Sequence, residues 1–575
     1  MKQRRSLLVI LCAVLAPWAG GQTVPANPVE LWKDYDPDKG DFKEEIVVQA
    51  TQNGIYFRDS YISAYVLGEE VRVFCKYAVK AGVQNAPGLL NVHGWMATAN
   101  IDQGYVDEGW AEMSFDYCGR KEGRRHFTQY PAQLNYGRME GKVIHARLLD
   151  GKDITDPRQT SHYLWFAIQR RVLSYLCAQK EVDTSRIGAK GYSYGGTLMW
   201  NLGMDPRVKA IVAFFGIGWI TYHRDHAVWL YNVPYREPPL TPGEKLYLAT
   251  VECQAHAPYI TAASLWLTGS NDHHGGHERS ETTFKLFKGN VPWSFAIQAR
   301  GHHNTEKLGD DCKLWLEKYV LGKNVAWPER PKSELALGKD GVPELRITPA
   351  SPDRISEVQV YEAQKEPNNI ARAWRDVPAV RAGNTWVAKL PVLKVDAYVF
   401  GYANIRYTNN IVVSSDFMAA IPAKLGRAVA TDQLTDTISA GTGTWNEVAP
   451  VEGVGGVQGF RALNHAKGTK NDQFGDPRWQ APAKAALAFR FYCTEPQKLV
   501  LIADGQFVMD LAITASDQWQ SLVIPAGKLI NSRTRQPMAE WSKVSEVQLK
   551  PQQGADITKV IFAEFKWLAK GTRLP

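Results

Sequence analysis

A serine between two glycines is the first candidate for chemistry in this chain. Residues 186–197 read RIGAKGYSYGGT, so Ser193 stands in a Gly-x-Ser-x-Gly pattern between Gly191 and Gly195. In this pattern a strand turns sharply into a helix and lifts the serine hydroxyl above the end of the strand. The pattern therefore predicts a nucleophilic Ser193. The alternative is a structural glycine turn that happens to contain a serine.

A serine hydroxyl becomes a good nucleophile only when a base takes its proton and an acid orients that base. Downstream of Ser193, an apolar run from Leu265 leads through a glycine turn to Asp272, and another run ends in Gly-His302-His303. Asp272 is predicted to be the orienting acid, with a loop-capping carboxylate as the alternative. Neighbouring side chains diverge, so only one histidine can face Ser193. The Gly-His dipeptide favours His302 as the base over His303.

The oxyanion of an acyl-transfer intermediate needs two backbone N–H donors. Tyr194, directly after the serine, is predicted to supply one of them. The other is expected from the loop that follows a buried strand at residues 88–92, where the N–H of Trp95 is the candidate. His93 precedes the serine in the chain and is interpreted as a residue that structures this loop.

Potential metal ligands are concentrated in residues 272–278, which read DHHGGHE. Asp272 is already assigned as the orienting acid, and loop histidines often lie at pocket rims, so no metal and no cofactor are predicted. A metal site is the alternative, and loss of activity on chelation would favour it. The six cysteines after Cys12 form no Cys-x-x-Cys pair, which argues against a thiolate zinc site, while export would permit one or two disulfides.

Three parts follow one another after the N-terminus. Residues 22–325 alternate strand-like and helix-like segments, which is typical of an α/β domain with a mostly parallel sheet flanked by helices. A helix is predicted over 161–180, before the elbow, and a buried strand over 208–215, after it. Residues 326–425 are predicted to form an immunoglobulin-like β-sandwich, and residues 426–575 a jelly-roll-like β-sandwich with carbohydrate binding as a candidate role.

The N-terminus and the charge suggest where the protein works. Residues 1–21 combine a basic start, a short apolar run and small residues, which predicts a signal peptide cleaved near Gln22 and a secreted or periplasmic protein. That run is too short to span a bilayer, and no other segment is apolar enough, so membrane insertion is not expected.

The net charge of +8 is spread without a basic block, so nucleic acid is not an expected partner. A solvated surface or a mild attraction to acidic glycans would both explain this charge.

Segment 88–325 resembles the exported α/β-hydrolases of the dienelactone hydrolase, acetyl xylan esterase and cephalosporin deacetylase group. The resemblance implies an α/β-hydrolase fold and a serine esterase, with Ser193, Asp272 and one of His302 and His303 as its triad. The doubled histidine, the histidine-rich turn and the Tyr- and His-rich segment 216–262, which is expected to shape the pocket, depart from the group's pattern. The stretches that carry the resemblance are residues 92–94, 115–119, 181–188, 191–196, 269–272 and 301–302.

The last β-module is loosely similar to carbohydrate-binding sandwiches. Four tryptophans in it are candidates for stacking on sugar rings, although most tryptophans in a β-sandwich belong to its core. These candidates are Trp445, Trp479, Trp519 and Trp541.

The function predicted from these observations is that of an exported serine carbohydrate esterase. It would remove acyl groups, acetyl above all, from an acylated polysaccharide or oligosaccharide. The main alternative is a serine peptidase of the prolyl oligopeptidase kind, where Tyr-Ser-Tyr-Gly-Gly is also found, but such enzymes usually carry a large β-domain before the catalytic part. A third possibility is a polysaccharide-binding protein whose hydrolase domain is inactive. The oligomeric state is not predicted.

Overall fold

A computed structural model describes residues 23–144, 146–216, 240–365, 369–435, 445–452, 454–471 and 473–569. The predicted signal peptide, its cleavage point near Gln22 and residues 217–239 of the predicted pocket segment lie outside the described residues. In the described ranges the chain forms one α/β unit followed by two all-β units.

The α/β unit is built on a nine-stranded sheet with the order β1-β2-β3-β5-β4-β6-β7-β8-β9. Six strands, β4 to β9, run parallel to one another, and their apolar runs are buried because helices cover both faces. The other three are antiparallel, so the sheet is mixed at one edge. The strands are β1 Glu45–Gln52, β2 Ile55–Val66, β3 Glu69–Lys80, β4 Ala86–Val92, β5 Ala111–Phe115, β6 Val182–Tyr192, β7 Val208–Phe214, β8 Ala263–Gly269 and β9 Trp293–Gln298.

The longest helix of this unit lies where the sequence predicts one. It spans Ser161–Cys177, is almost entirely buried, and begins after Thr160, whose hydroxyl accepts a hydrogen bond from the N–H of Tyr163. A second helix starts directly at Tyr194, at the elbow. The helices are α1 Pro28–Trp32, α2 Gln103–Asp107, α3 Ser161–Cys177, α4 Tyr194–Leu202, α5 Pro242–Thr250, α6 Cys253–His256, α7 His277–Phe284 and α8 Asp311–Tyr319.

The first all-β unit (residues 332–425) consists of two sheets that share a hydrophobic core. One sheet has the order β10-β11-β15-β14, and the other has the order β13-β12-β16-β17 with β18 paired to β16. Leu345 and Ile347 of the first sheet pack in one cluster with Val360 and Ile405 of the second. The elements are β10 Lys332–Leu337, β11 Pro343–Thr348, β12 Ile355–Gln364, β13 Arg375–Val377, β14 Ala379–Ala382, β15 Thr385–Lys389, β16 Val399–Tyr407, β17 Val412–Ser414, β18 Met418–Ala420 and α9 Pro422–Leu425.

The second all-β unit is described from residue 445 to residue 569, apart from positions 453 and 472. Its sheets have the orders β19-β20-β28-β22-β25 and β21-β27-β23-β24-β26, and aromatic and aliphatic side chains from both form one cluster. The strands are β19 Val448–Glu452, β20 Gln458–Ala462, β21 Thr469–Asn471, β22 Ala486–Cys493, β23 Gln497–Ala503, β24 Phe507–Ile513, β25 Ser516–Pro525, β26 Ile530–Asn531, β27 Val547–Pro551 and β28 Ile561–Leu568.

The core of the α/β unit continues into the first all-β unit. Trp374, Phe400, Tyr402 and Phe417 of the all-β unit belong to the same buried cluster as the residues between helix α3 and the sheet. The two units are therefore packed together and not merely connected by a linker.

The six described cysteines are free thiols, so the disulfides that export would permit do not form among them. Among the helices that the structure describes, none combines the length and the apolar character that a membrane crossing requires.

Candidate active site

Ser193 occupies a strained turn between strand β6 and helix α4. Its backbone has φ 55° and ψ −119°, a conformation that a residue with a side chain rarely adopts unless its surroundings impose it. The Ser193 N–H donates to the carbonyl oxygen of Phe214 at 2.8 Å. A Cβ on Gly195 would collide with the carbonyl oxygens of Val92 and His93, which explains why the turn needs glycine there. The Gly-x-Ser-x-Gly pattern thus forms the strand–turn–helix that it predicts, with Ser193 half-buried at its tip.

Asp272 lies in the turn after strand β8 and is fully buried. Its Oδ1 accepts hydrogen bonds from the backbone N–H groups of His274, at 2.7 Å, and Gly275. Its Oδ2 lies 2.7 Å from Nδ1 of His303. An ionised carboxylate only accepts hydrogen bonds, so Nδ1 of His303 carries the proton and Nε2 is left as the basic atom. This is the arrangement of an acid that orients a base.

His303, and not the favoured His302, is the histidine against Asp272. The reason lies in the backbone after strand β9. The carbonyl oxygens of Gly301 and His302 pack directly against Gly269, and Gly301 accepts a hydrogen bond from the Asn271 N–H at 2.8 Å. Once residues 301 and 302 lie along the acid turn in this way, the side chain of residue 303 is the one that meets Asp272. His303 is therefore the base in the proposal below, and the choice between the two histidines stays a prediction.

Strand β7 lies between the strand that leads to Ser193 and the strand that leads to Asp272. Ser193, Asp272 and His303 follow β6, β8 and β9, whose C-terminal ends meet at one edge of the parallel sheet. Phe214, which bonds the Ser193 N–H, ends strand β7, and the ring of Phe215 lies 4.3 Å from the His303 ring, centroid to centroid. The His303 side chain is 31% exposed, in contrast to the fully buried Asp272.

The two candidate oxyanion donors flank the serine. A Cβ on Gly94 would lie 3.2 Å from Cβ of Ser193, which brings the 93–97 loop against the elbow. The ring of Trp95 lies 4.3 Å from the ring of Tyr194. Tyr194 starts helix α4, and the positive end of the helix dipole also favours negative charge there.

Arg124 holds the 93–97 loop in place, and sequence reasoning missed it. Its guanidinium donates to the carbonyl oxygens of Met96 and Ala97 and also to Asp116. His93 is buried and stacks on Tyr117 at 4.6 Å, in agreement with its interpretation as a structural loop residue. No motif surrounds Arg124, so nothing in the sequence marks it.

The histidine-rich turn separates into three environments. His273 is exposed beside His303, with ring centroids 4.6 Å apart, and His274 stacks on Tyr194 at 4.8 Å. His277 is buried against Phe417 of the first all-β unit, and burial lowers its pKa to about 4. In the described residues, ligand atoms of Asp272, His273 and His303 lie within 4.8 Å of one another, as do those of a second, buried group. The second group is His93, Asp116 and Cys118.

The first of these groups is the proposed acid and base with one exposed neighbour. Because Asp272 and His303 already bond to each other, a cation held there would compete with that bond. The absence of a metal requirement therefore stays a prediction, to be tested by chelation.

The described part of the predicted pocket segment, residues 240–262, packs behind the site. Helices α5 and α6 lie against one another, and the Tyr247 hydroxyl meets Nδ1 of His162 on helix α3 at 2.6 Å. Tyr247 and His256 are fully buried, so these two residues belong to the core and not to a pocket wall.

Three of the four candidate sugar-stacking tryptophans are buried. Trp445, Trp479 and Trp541 are at most 2% exposed and belong to the core of the second all-β unit. Trp519 is half-buried, with the Tyr492 ring 5.9 Å away and the Arg490 guanidinium 5.3 Å from its ring. Of these four tryptophans, Trp519 is thus the one that is not fully buried.

The chain matches no protein-family profile and no curated protein sequence. Among solved structures, it is similar to acetyl xylan esterase 1 from Thermoanaerobacterium sp. JW/SL YS485, with 19% identity over 50% of this chain and 92% of that chain and a TM-score of 0.38. It is also similar to acetyl xylan esterase from Paenibacillus sp. R4, with 19% identity, 47% and 85% coverage and a TM-score of 0.37. S-formylglutathione hydrolase from Agrobacterium tumefaciens is similar at 16% identity, 45% and 93% coverage and a TM-score of 0.32.

Proposed function

We propose that the protein is a serine ester hydrolase that removes acyl groups, acetyl above all, from a polysaccharide. The observation that carries the proposal is the 2.7 Å contact between Nδ1 of His303 and Oδ2 of Asp272, at the sheet edge where Ser193 sits in its strained elbow. A nucleophile, a base and an acid in this chain order, on the ends of parallel strands, are the parts of an acyl-transfer site of the α/β-hydrolase type.

In the acylation step, Nε2 of His303 takes the proton from the Ser193 hydroxyl, and the serine oxygen attacks the ester carbonyl carbon. Negative charge moves to the carbonyl oxygen, which the backbone N–H groups of Tyr194 and Trp95 stabilise. The ester C–O bond then breaks, and the leaving sugar oxygen takes the proton from His303. Asp272 stabilises the imidazolium throughout and stays ionised.

In the deacylation step, water replaces the sugar alcohol. His303 removes a proton from water, and the resulting hydroxide attacks the acyl-serine carbonyl. Collapse of this second intermediate releases the carboxylic acid and returns the proton to Ser193. The same two N–H groups stabilise the charge in both steps, so one oxyanion site serves the whole cycle.

Two further proposals accompany the polysaccharide substrate: the protein is exported, and its all-β units have a role. We propose that residues 1–21 direct export, that residues 326–425 form an immunoglobulin-like β-sandwich, and that residues 426–575 form a jelly-roll-like β-sandwich that binds the glycan. Trp519 supports this role because a half-buried ring beside Tyr492 and Arg490 offers an aromatic face to a sugar.

The first experiment measures turnover of 4-nitrophenyl acetate and of acetylated xylan by the mature protein and its Ser193→Ala variant. We expect both substrates to be hydrolysed by the wild type, and the variant to lose on the order of 10⁴-fold or more in kcat. Wild-type turnover by the variant would refute the serine mechanism. Turnover of the aryl ester alone, with no release from acetylated, feruloylated or methyl-esterified glycans, would refute the polysaccharide assignment. Cleavage of chromogenic dipeptides would instead favour the peptidase.

A second experiment tests the proposed glycan contact. Replacing Trp519 with alanine should weaken binding to acetylated xylan and leave turnover of 4-nitrophenyl acetate unchanged, because stacking contributes only to glycan affinity. Exposed Val523 on the same strand, replaced with alanine, is the matched control. Equal glycan affinity of the Trp519→Ala and Val523→Ala variants would contradict the contact.

A further inference from the structure

The acid turn of the proposed triad is not held by the α/β unit alone. The side-chain amide nitrogen of Asn271, next to Asp272, donates its two protons among three backbone carbonyl oxygens of the first all-β unit. These belong to Asn369 at 3.0 Å, Ile370 at 3.2 Å and Arg372 at 2.7 Å. In return, Nδ2 of Asn369 donates to the backbone carbonyl oxygen of Asp272 at 2.8 Å.

The side chains in this cluster are buried. Asn271, Asp272 and Asn369 are 3%, 0% and 7% exposed. A buried carbonyl or amide that loses its partner is costly to leave unpaired, because water cannot replace the bond. The two asparagines therefore hold the acid turn in one position against the first all-β unit.

Two further contacts from the same segment extend the support. One guanidinium nitrogen of Arg372 lies 2.7 Å from Glu278, with both side chains buried, in the first turn of helix α7. On the side of the base, the Arg300 guanidinium contacts the Trp374 carbonyl and the Asp376 carboxylate. The backbone N–H of Arg300 also donates to the Ser270 hydroxyl at 2.8 Å, which joins the base loop to the acid turn.

From these contacts we infer that Asn369 is a positioning residue for Asp272, and that segment 369–374 of the first all-β unit is part of the proposed catalytic apparatus. The inference rests on the proposed function. Asn369 does not touch the reacting atoms. It acts through the backbone of Asp272, whose carboxylate must meet Nδ1 of His303 at hydrogen-bond distance.

The test compares Asn369→Ala with Asn404→Ala in the full chain. Asn404 also lies in the first all-β unit and is buried, and its side-chain amide also donates to a carbonyl of the α/β unit, that of Ile297, at 2.8 Å. Both variants lose a buried amide-to-carbonyl bond across the same interface, and Asn404→Ala also removes the oxygen that accepts from the Ser414 hydroxyl. A general loss of stability should therefore lower the melting temperature of Asn404→Ala at least as much as that of Asn369→Ala. Only Asn369→Ala touches the acid turn.

For Asn369→Ala we expect kcat for 4-nitrophenyl acetate to fall about 10- to 100-fold with KM unchanged, because a small misplacement of the acid misaligns the base. The far-downfield proton resonance of the His303 Nδ1–H should shift or broaden. In Asn404→Ala, kcat and this resonance should stay as in the wild type. Equal kcat losses in the two variants, or an unchanged resonance in Asn369→Ala, would overturn the inference.

If Asn369→Ala does not fold, Asn369→Leu keeps a side chain of similar size, adds no charge and removes the donor. Wild-type kcat in that variant would also overturn the inference, and a loss confined to kcat would support it. Ser193→Ala in the same assay separates the two claims. Full activity without Ser193 refutes the proposed function, whereas activity that depends on Ser193 but not on Asn369 refutes only the role of Asn369.

Discussion

In the proposed mechanism, the hydrogen bonds of the buried Asp272 carboxylate favour one of the two histidines as the base. Two backbone N–H groups of its own turn bind Oδ1, so Oδ2 is the oxygen directed at a partner. That partner is Nδ1 of His303, which leaves Nε2 to accept a proton. His302 precedes it in a backbone segment that lies against Gly269.

The two adjacent histidines can be distinguished by mutation. We expect His303→Gln to lower kcat for 4-nitrophenyl acetate about 10²- to 10⁴-fold, because the variant has no base to take the serine proton. The matched variant His302→Gln should keep kcat close to that of the wild type. A larger loss in His302→Gln than in His303→Gln would contradict the assignment.

For single residues, the sequence predicts a role when that role depends on one local turn. Ser193 and Tyr194 are placed by one turn, and Asp272 by a turn after one strand, so their roles can be inferred from a short pattern. The choice between His302 and His303 depends on how residues 301 and 302 pack on Gly269, some thirty residues away in the chain. No pattern of residue types encodes that contact.

At the scale of elements, the 93–97 loop must be rigid if the Trp95 N–H is to stabilise an oxyanion. Arg124 donates to the carbonyl oxygens of Met96 and Ala97, and Lys121 donates to that of Met96 at 3.0 Å. The residue after Arg124 is also an arginine, but its side chain is exposed. Preorganised donors are effective because they need no reorganisation during the reaction.

Replacing Arg124 with methionine should therefore lower kcat about 10- to 100-fold with little change in KM, since the loosened loop presents its donor less well to the transition state. Arg125→Met removes the same charge from the same loop and should behave as the wild type. Steady-state kinetics on 4-nitrophenyl acetate would check both variants. Equal kcat values in the two variants would contradict the role of Arg124.

Elements with long apolar runs are predictable, whereas their surroundings are not. The helix expected over 161–180 spans Ser161–Cys177, and the strand expected over 208–215 spans Val208–Phe214. Strand β2 was not predicted, because it lies between two antiparallel strands and its sequence mixes polar and apolar residues, without the continuous apolar run of a buried parallel strand. Arg124 and Asn369 act through contacts that no spacing in the sequence reveals.

At the scale of the whole molecule, the α/β unit and the first all-β unit share one core. His277 of helix α7 is buried in it, with its ring 4.8 Å from that of Phe417. Burial, which disfavours the charged imidazolium, lowers the pKa of His277 from 6.5 to about 4. Asn369 and Asp272, 97 residues apart in the chain, meet beside this core.

The depressed pKa of His277 makes stability depend on pH. The unfolded chain takes up a proton near pH 6.5 and the native state only near pH 4, so the stability contributed by neutral His277 is present above pH 6.5 and is lost as the pH falls towards 4. The loss should amount to about 3 kcal/mol of the free energy of unfolding. Denaturant unfolding between pH 4 and 8 would measure it.

Two variants identify the source of that pH dependence. His277→Phe keeps an aromatic ring against Phe417 and cannot be protonated, so the slope between pH 6.5 and 4 should decrease. His465→Asn removes an exposed histidine and should leave the slope as in the wild type. A slope unchanged in His277→Phe would show that other groups control acid stability.

The most direct test of the central claim is to identify the nucleophile itself. The purified protein is treated with diethyl 4-nitrophenyl phosphate, and the modified peptide is identified by mass spectrometry while the remaining esterase activity is followed. We predict one diethylphosphoryl group, on Ser193, with activity lost in proportion to labelling. Full activity after complete modification of Ser193, or inactivation by labelling at another residue, would contradict the Ser193–His303–Asp272 mechanism.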